Sequence, residues 1–142
     1  MKTTKKAGLA FLASALILLA GCATAPPVSD EEASARIVEE LAEARWQAIM
    51  ERDFEKAYEF YSPGYRDTTG LREYDRDMSR RPFRYLSAEV QPAECEGDRC
   101  QVRVRVTYQA VGAPAGQHRV RLTQDLTETW VRLEDQWWRA RN

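Results

Sequence analysis

The sequence has one histidine, three cysteines and no marked excess of either charge. A single His and scattered Cys give no transition-metal ligand set. The balance of 21 Lys and Arg against 22 Asp and Glu excludes a strongly basic nucleic-acid binder on composition. There is no Gly-x-Ser-x-Gly elbow, no phosphate-binding glycine loop and no His-Glu-x-x-His. No metal, cofactor or nucleic acid is therefore expected. Internal repeats and low-complexity segments are missing as well. The apolar run over residues 7–20 is too short to cross a bilayer comfortably, which takes about 20 residues. What is present is a chain of 142 residues, 44% hydrophobic and 10% aromatic. That suits one packed domain and excludes a disordered chain.

The first residues read as an address. Lys2, Lys5 and Lys6 precede the apolar run, and small residues close it, the pattern of a secretory signal peptide. The closing Leu19-Ala20-Gly21-Cys22 resembles the lipobox of bacterial lipoproteins. The resemblance implies a signal peptide over residues 1–21, with Cys22 lipidated as the mature N-terminus. Residues 22–28, with Pro26 and Pro27, then form a semi-stiff tether before a domain over 29–142. An ordinary signal peptide or an uncleaved anchor is the alternative. Each buried acyl CH₂ contributes about 0.8 kcal/mol, so several chains hold where one holds marginally. Ala23 stands where Asp would favour inner-membrane retention, which points to the outer membrane and a periplasm-facing domain. After cleavage 18 basic groups face 22 acidic ones, a net charge of −4, and Lys56 is the only lysine left. Such a domain does not dock electrostatically on anionic lipid, so its membrane contact is the lipid on Cys22.

Along the mature chain the period changes once. Ser29-Asp30-Glu31-Glu32 is a capping-box start. Ile37, Val38, Leu41, Ala42, Ala48 and Ile49 recur at helical spacing, with Trp46 near the same face. Asp53 reads as the N-cap of a second helix carrying Phe54, Ala57, Tyr58 and Tyr61, stopped by Ser62-Pro63-Gly64. A third spans about 71–81 and is closed by Pro82. From Phe83 the period is two. Leu86, Ala88 and Val90 share one face, and Pro92 marks an edge or a bulge. Val102, Val104, Val106 and Tyr108 alternate with Arg103 and Arg105. A long strand over 118–133, a turn at Glu134-Asp135 and a strand over 136–141 finish the chain. The expectation is α+β: about three N-terminal helices packed on a curved antiparallel sheet of about four strands.

Cys95 and Cys100 bracket four residues between two strands. Opposed hairpin positions lie within disulfide reach, and export provides an oxidising compartment. A structural disulfide is favoured over two free thiols or a redox couple, which usually has C-x-x-C spacing at a helix start.

Arg45-Trp46-Gln47-Ala48, Asp53-Phe54-Glu55-Lys56-Ala57-Tyr58 and Tyr61-Ser62-Pro63-Gly64-Tyr65-Arg66 resemble the opening helices of nuclear-transport-factor-2-like (NTF2-like, SnoaL-like) domains. The closing Trp130-Val131-Arg132-Leu133-Glu134-Asp135-Gln136-Trp137-Trp138 resembles their last hairpin, with Gln136 where many relatives have Gly. The resemblance spans about residues 30–142. It implies a cone-shaped, cystatin-like sheet around an apolar cavity, often with a homodimer formed through the sheet. Isomerases and dehydratases share the family with non-catalytic domains, so fold leaves function open.

If even-numbered residues of the long strand face inward, Val120, Leu122, Gln124, Leu126, Glu128 and Trp130 line the cone. Gln124 and Glu128 then interrupt an apolar face beside Trp130, where a polar group would orient a ligand or serve as acid/base. A register switch or an arginine partner would remove that role. Tyr58, Tyr61, Tyr65 and Tyr85, with Trp46, are further candidates for the cavity wall, and core packing is the plainer role for each. His118 reads as a rim residue. Arg103, Arg105, Arg119 and Arg121 form an outer face, by default solvated, while Asp75 and Asp77 dilute the cluster Arg72, Arg76, Arg80, Arg81 and Arg84. The sequence thus points to an envelope lipoprotein binding a small apolar ligand or a protein partner. The alternatives are an isomerase/dehydratase using a pocket carboxylate and tyrosine, and a dimerising module without a pocket.

Overall fold

Capping side chains decide where the helices start in the computed structural model, which describes residues 29–111 and 120–141. Helix α1 (Asp30–Glu51) begins where the Ser29 hydroxyl accepts from the Glu32 amide at 3.2 Å, with three acids in the first turn. It ends at Arg52, whose left-handed backbone (φ 63°) lets its amide close on the carbonyls of Ala48 and Ile49. Asp53 caps α2 (Phe54–Glu59) through the Lys56 amide. Ser62-Pro63-Gly64, expected to stop a helix, also starts one. Ser62 is the N-cap and Pro63 the first residue of α3 (Pro63–Thr68), so among the described residues four helices stand where about three were expected. Helix α4 (Leu71–Ser79) buries Tyr74 and Met78.

Five strands follow: β1 (Phe83–Val90), β2 (Glu94–Glu96), β3 (Arg99–Ala110), β4 (Arg121–Leu133) and β5 (Gln136–Ala140). All pairs are antiparallel, in the order β1-β3-β4-β5. The short β2 continues the β1 edge along β3, and the break between them holds Pro92, which has no amide for the ladder. A bulge between Tyr85 and Ser87 shifts the register of β1. Tyr85 and Ala88 therefore share the helix side, and Leu86, expected to point inward with Ala88, is exposed. Glu134 and Asp135, both at positive φ, make the tight β4–β5 turn. Gly97 (φ 55°) turns β2 into β3. Across that hairpin Cys95 and Cys100 are paired and disulfide-bonded.

The core lies between helices and sheet. Val38, Ala42, Trp46 and Ile49 of α1 meet Cys100, Val102, Val104 and Val106 of β3 and Trp130 of β4. The sheet curls around the helices as an α+β half-barrel, as expected. The even-numbered residues of β4 do take the helix side, since Glu128 pairs with Val102 and Leu126 with Val104. Burial reaches only part of that face. Leu126 is half-buried, whereas Leu122 is 52% and Val120 60% exposed, and Gln124 is exposed too. Among the described residues helical cover stops short of this end, which corrects the expectation that the whole row lines a cavity. On the other face Arg103, Arg105 and Arg121 are solvated, and Arg105 pairs with Asp125 at 2.9 Å. Cys22, the tether, His118 and Arg119 lie outside the described residues. Among the described residues no helix is long and apolar enough to cross a membrane.

Candidate functional site

The covered end of the sheet holds a buried ion cluster. On α1, Val38, Ala42, Arg45 and Ile49 form one buried stripe, so helical spacing carries Arg45 into the core at 5% exposure. On β4, strand alternation carries Glu128 inward between Leu126 and Trp130, at 3% exposure. Arg45 Nη1 donates to Glu128 Oε1 at 2.6 Å, and Trp46 Nε1 donates to the same oxygen at 3.0 Å. Arg45 Nη2 donates to the Tyr61 hydroxyl at 2.9 Å. From β5, Arg139 brings Nε to 3.6 Å from Glu128 Oε2, within ion-pair range but beyond a hydrogen bond. Among the described residues Arg45 Nε, Glu128 Oε2 and Arg139 Nε find no hydrogen-bond partner.

The electrostatics of the two arginines diverge. Burial pulls the Arg45 guanidinium down, but Glu128, with Tyr61 and Tyr74, outweighs it and leaves Arg45 above the ordinary arginine value. For Arg139 burial wins: Glu128 offsets it only in part and Arg45 adds repulsion, so Arg139 lies below the ordinary value. Tyr74 is pushed up, chiefly by burial, with Arg45 opposing.

A cavity of about 200 Å³ adjoins the cluster. Arg45, Trp46, Tyr61, Glu128 and Arg139 form its polar side, and Ile49, Met78 and Leu126 its apolar side. Tyr85 and Arg81, both half-buried, also border it. Arg81 is held by Asp77 at 3.0 Å and donates to the Tyr85 hydroxyl at 3.1 Å. A second, larger space lies on the flank. It is a groove of about 720 Å³ between the first turns of α1, α2 and the β4–β5 hairpin, walled by Ile37, Leu41, Phe60, Trp137 and Trp138.

Of the side chains singled out in the sequence, the cavity brings together Trp46, Tyr61, Tyr85, Leu126 and Glu128. The others go elsewhere. Tyr58 donates to the Thr69 carbonyl at 2.6 Å and fastens the turn between α3 and α4. Tyr65 stacks near Tyr61 and accepts from Arg141 at 3.1 Å. Gln124 accepts from the Tyr108 hydroxyl at 3.3 Å on the uncovered end of the sheet. Trp130 is fully buried core, edge-on to Phe60. Arg45 and Arg139 were not singled out, because arginine reads by default as a surface residue. A signal existed: Arg45 interrupts an apolar helix stripe as Glu128 interrupts an apolar strand face, and two unlike charges in such places call for each other.

The arrangement narrows the chemistry. A carboxylate and a tyrosine acting together on a substrate need a shared point near both. Between Glu128 and Tyr61 that point is occupied by the Arg45 guanidinium, which bonds to both.

No protein-family profile and no curated protein matches the chain. Solved structures do. A SEC-C motif containing protein from Rhodopseudomonas palustris shares the fold with a TM-score of 0.56 at 18% identity, over 71% of this chain and 73% of that one. A provisionally assigned dehydratase of the NTF2-like family from Streptomyces avermitilis aligns with a TM-score of 0.53 at 16% identity, over 78% and 94%. An NTF2-like protein of unknown function from Pseudomonas putida aligns at 0.54 and 15% identity, over 75% and 82%. The domain thus has the NTF2-like fold, and at these identities the likeness extends to the fold alone.

Proposed function

We propose that the chain is a lipid-anchored protein of the bacterial cell envelope whose NTF2-like domain binds a small apolar ligand or a protein partner without catalysis. The observation that carries the binding reading is the flank groove. It combines about 720 Å³ with an apolar wall, and Ile37 lies there 48% exposed on α1. Solvent-exposed apolar side chains gathered in a concave surface mark binding sites more often than they occur by chance. The occupation of the Glu128–Tyr61 gap by Arg45 speaks against the isomerase/dehydratase alternative.

Anchoring rests on the basic start, the apolar run and the Leu19-Ala20-Gly21-Cys22 motif. Ala23 favours the outer over the inner membrane. Cys22→Ser is expected to move the protein from the membrane pellet to the soluble periplasmic fraction, and an unmoved pellet defeats the lipid anchor. For the groove, the neutral fluorescent probe N-phenyl-1-naphthylamine is expected to bind the full chain and to lose affinity in Ile37→Asp. Equal binding by wild type and variant removes the groove as the site.

A second reading draws on the uncovered sheet end, where Val120, Leu122 and Val111 are exposed. A second copy would cover them and make the protein a dimer through its sheet. Sedimentation of wild type against Leu122→Asp decides: a dimer that dissociates in the variant supports it, and a wild-type monomer removes it.

A further inference from the structure

The buried cluster does not balance its charge. Arg45 and Arg139 face a single carboxylate, Glu128, and the remaining charged side chain on the cavity, Arg81, is already met by Asp77. Among the described residues one unit of positive charge is therefore left over, shared between the buried Arg45 and Arg139, whose side chain is 12% exposed. Uncompensated buried charge is costly, and an anion that enters the site relieves that cost. Arg45 and Arg139 both line the cavity, and each keeps an Nε–H that is closed off from solvent and without a partner among the described residues. Arg45 is buried and uses Nη1 and Nη2, leaving Nε without a partner, and Arg139 Nε is only loosely placed against Glu128. The depression of Arg139 by burial and by its neighbour Arg45 fits the same surplus. The planar guanidinium fork matches a carboxylate better than a round ion.

Size and lining limit the occupant. Sites for drug-sized ligands run from about 300 Å³ upward, so about 200 Å³ selects something smaller. Ile49, Met78 and Leu126 add apolar lining to the same cavity. We propose that this cavity, separate from the flank groove, binds a small organic monocarboxylate. The charged end meets Arg45 and Arg139, and the apolar body meets Ile49, Met78 and Leu126.

The test is calorimetric titration of the full chain with three probes: sodium benzoate, its neutral isostere benzamide, and inorganic phosphate. Benzoate is expected to bind at least about tenfold more tightly than benzamide, and phosphate, which gains nothing from Ile49, Met78 and Leu126, not to displace it. Arg139→Gln is expected to weaken benzoate about tenfold or more while unfolding as cooperatively as wild type. Glu128→Gln is expected to strengthen benzoate, because it removes the competing internal carboxylate. Should Glu128→Gln fail to fold, Arg139→Gln carries the test alone. Ile37→Asp, in the groove, is expected to leave benzoate binding unchanged. Benzamide binding as tightly as benzoate overturns the anion assignment but leaves a cavity that binds. Displacement by phosphate overturns the carboxylate assignment, as does unaltered benzoate binding in Arg139→Gln or no benzoate binding at all. The groove reading stands or falls separately, on the naphthylamine probe.

Discussion

The two ends of the sheet's inner face share one alternation and have opposite fates. Toward Cys100 and Trp130 the even positions are sealed under the helices and hold an ion cluster. Toward Tyr108 and Leu122 the same parity, in the same ladder, lies open. Strand period therefore decides which way a side chain points, and helical cover decides whether it is buried. A hydrophobic residue at the open end is tolerated, whereas a charged residue at the covered end survives only with a partner.

The sharpest way to break this comparison is to place the same charge at both ends. Val104→Asp is expected to prevent folding, because it buries an unpaired carboxylate at a fully buried position. Leu122→Asp, on the same sheet face, is expected to change the stability of the folded chain by no more than about 0.5 kcal/mol. Circular dichroism and urea unfolding read both, and a comparable loss at Leu122 would mean that this end is covered after all.

Next in size is the ion pair. Arg45→Met leaves Glu128 buried with the Trp46 indole hydrogen bond at 3.0 Å and the 3.6 Å contact to Arg139, and without its close guanidinium partner. The expected cost is about 3–5 kcal/mol, a drop in melting temperature of roughly 10–20 °C. Replacing both partners by Arg45→Met and Glu128→Leu is expected to recover only part of that loss, because the apolar pair carries no desolvation cost of its own but Arg139 and the Trp46 indole lose Glu128. A loss in the single variant below about 1 kcal/mol would give the pair the worth of a surface bridge and undo its assignment as buried.

Smaller again is the disulfide, which closes a short loop at the covered end. Reduction of Cys95–Cys100 is expected to cost about 2 kcal/mol, read as a shift in the urea midpoint. The smallest effect belongs to the solvated outer face. The hydrogen bond from Arg105 holds the Asp125 carboxyl below its ordinary value. Its contribution is thus present above the unfolded carboxylate range and is lost as pH falls through the folded value. Solvent screens this exposed pair, so Asp125→Asn is expected to leave the melting temperature unchanged at neutral pH.

Much of this was legible in the residues. The caps Ser29 and Asp53, the switch of period at Phe83, the hairpin at Glu134-Asp135 and the inward parity of Glu128 are local signals, and local signals survive folding. What the chain did not disclose depends on contacts between distant segments. The bulge at Leu86 arises from pairing with β3, and its alternation looks regular until that partner is in place. The exposure of Leu122 reflects where the helices end in space. Arg45 and Glu128 each look anomalous alone, and they become a pair only when α1 lies across β4, 83 residues later.

Whether the arginines of the covered end receive a ligand is read directly from nitrogen-15 spectra of the arginine Nε–H groups during a benzoate titration. The resonances of Arg45 and Arg139 are predicted to move together and to saturate, while that of Arg132, beside the flank groove, stays still. Movement of Arg132 alone, or of none of the three, would contradict it.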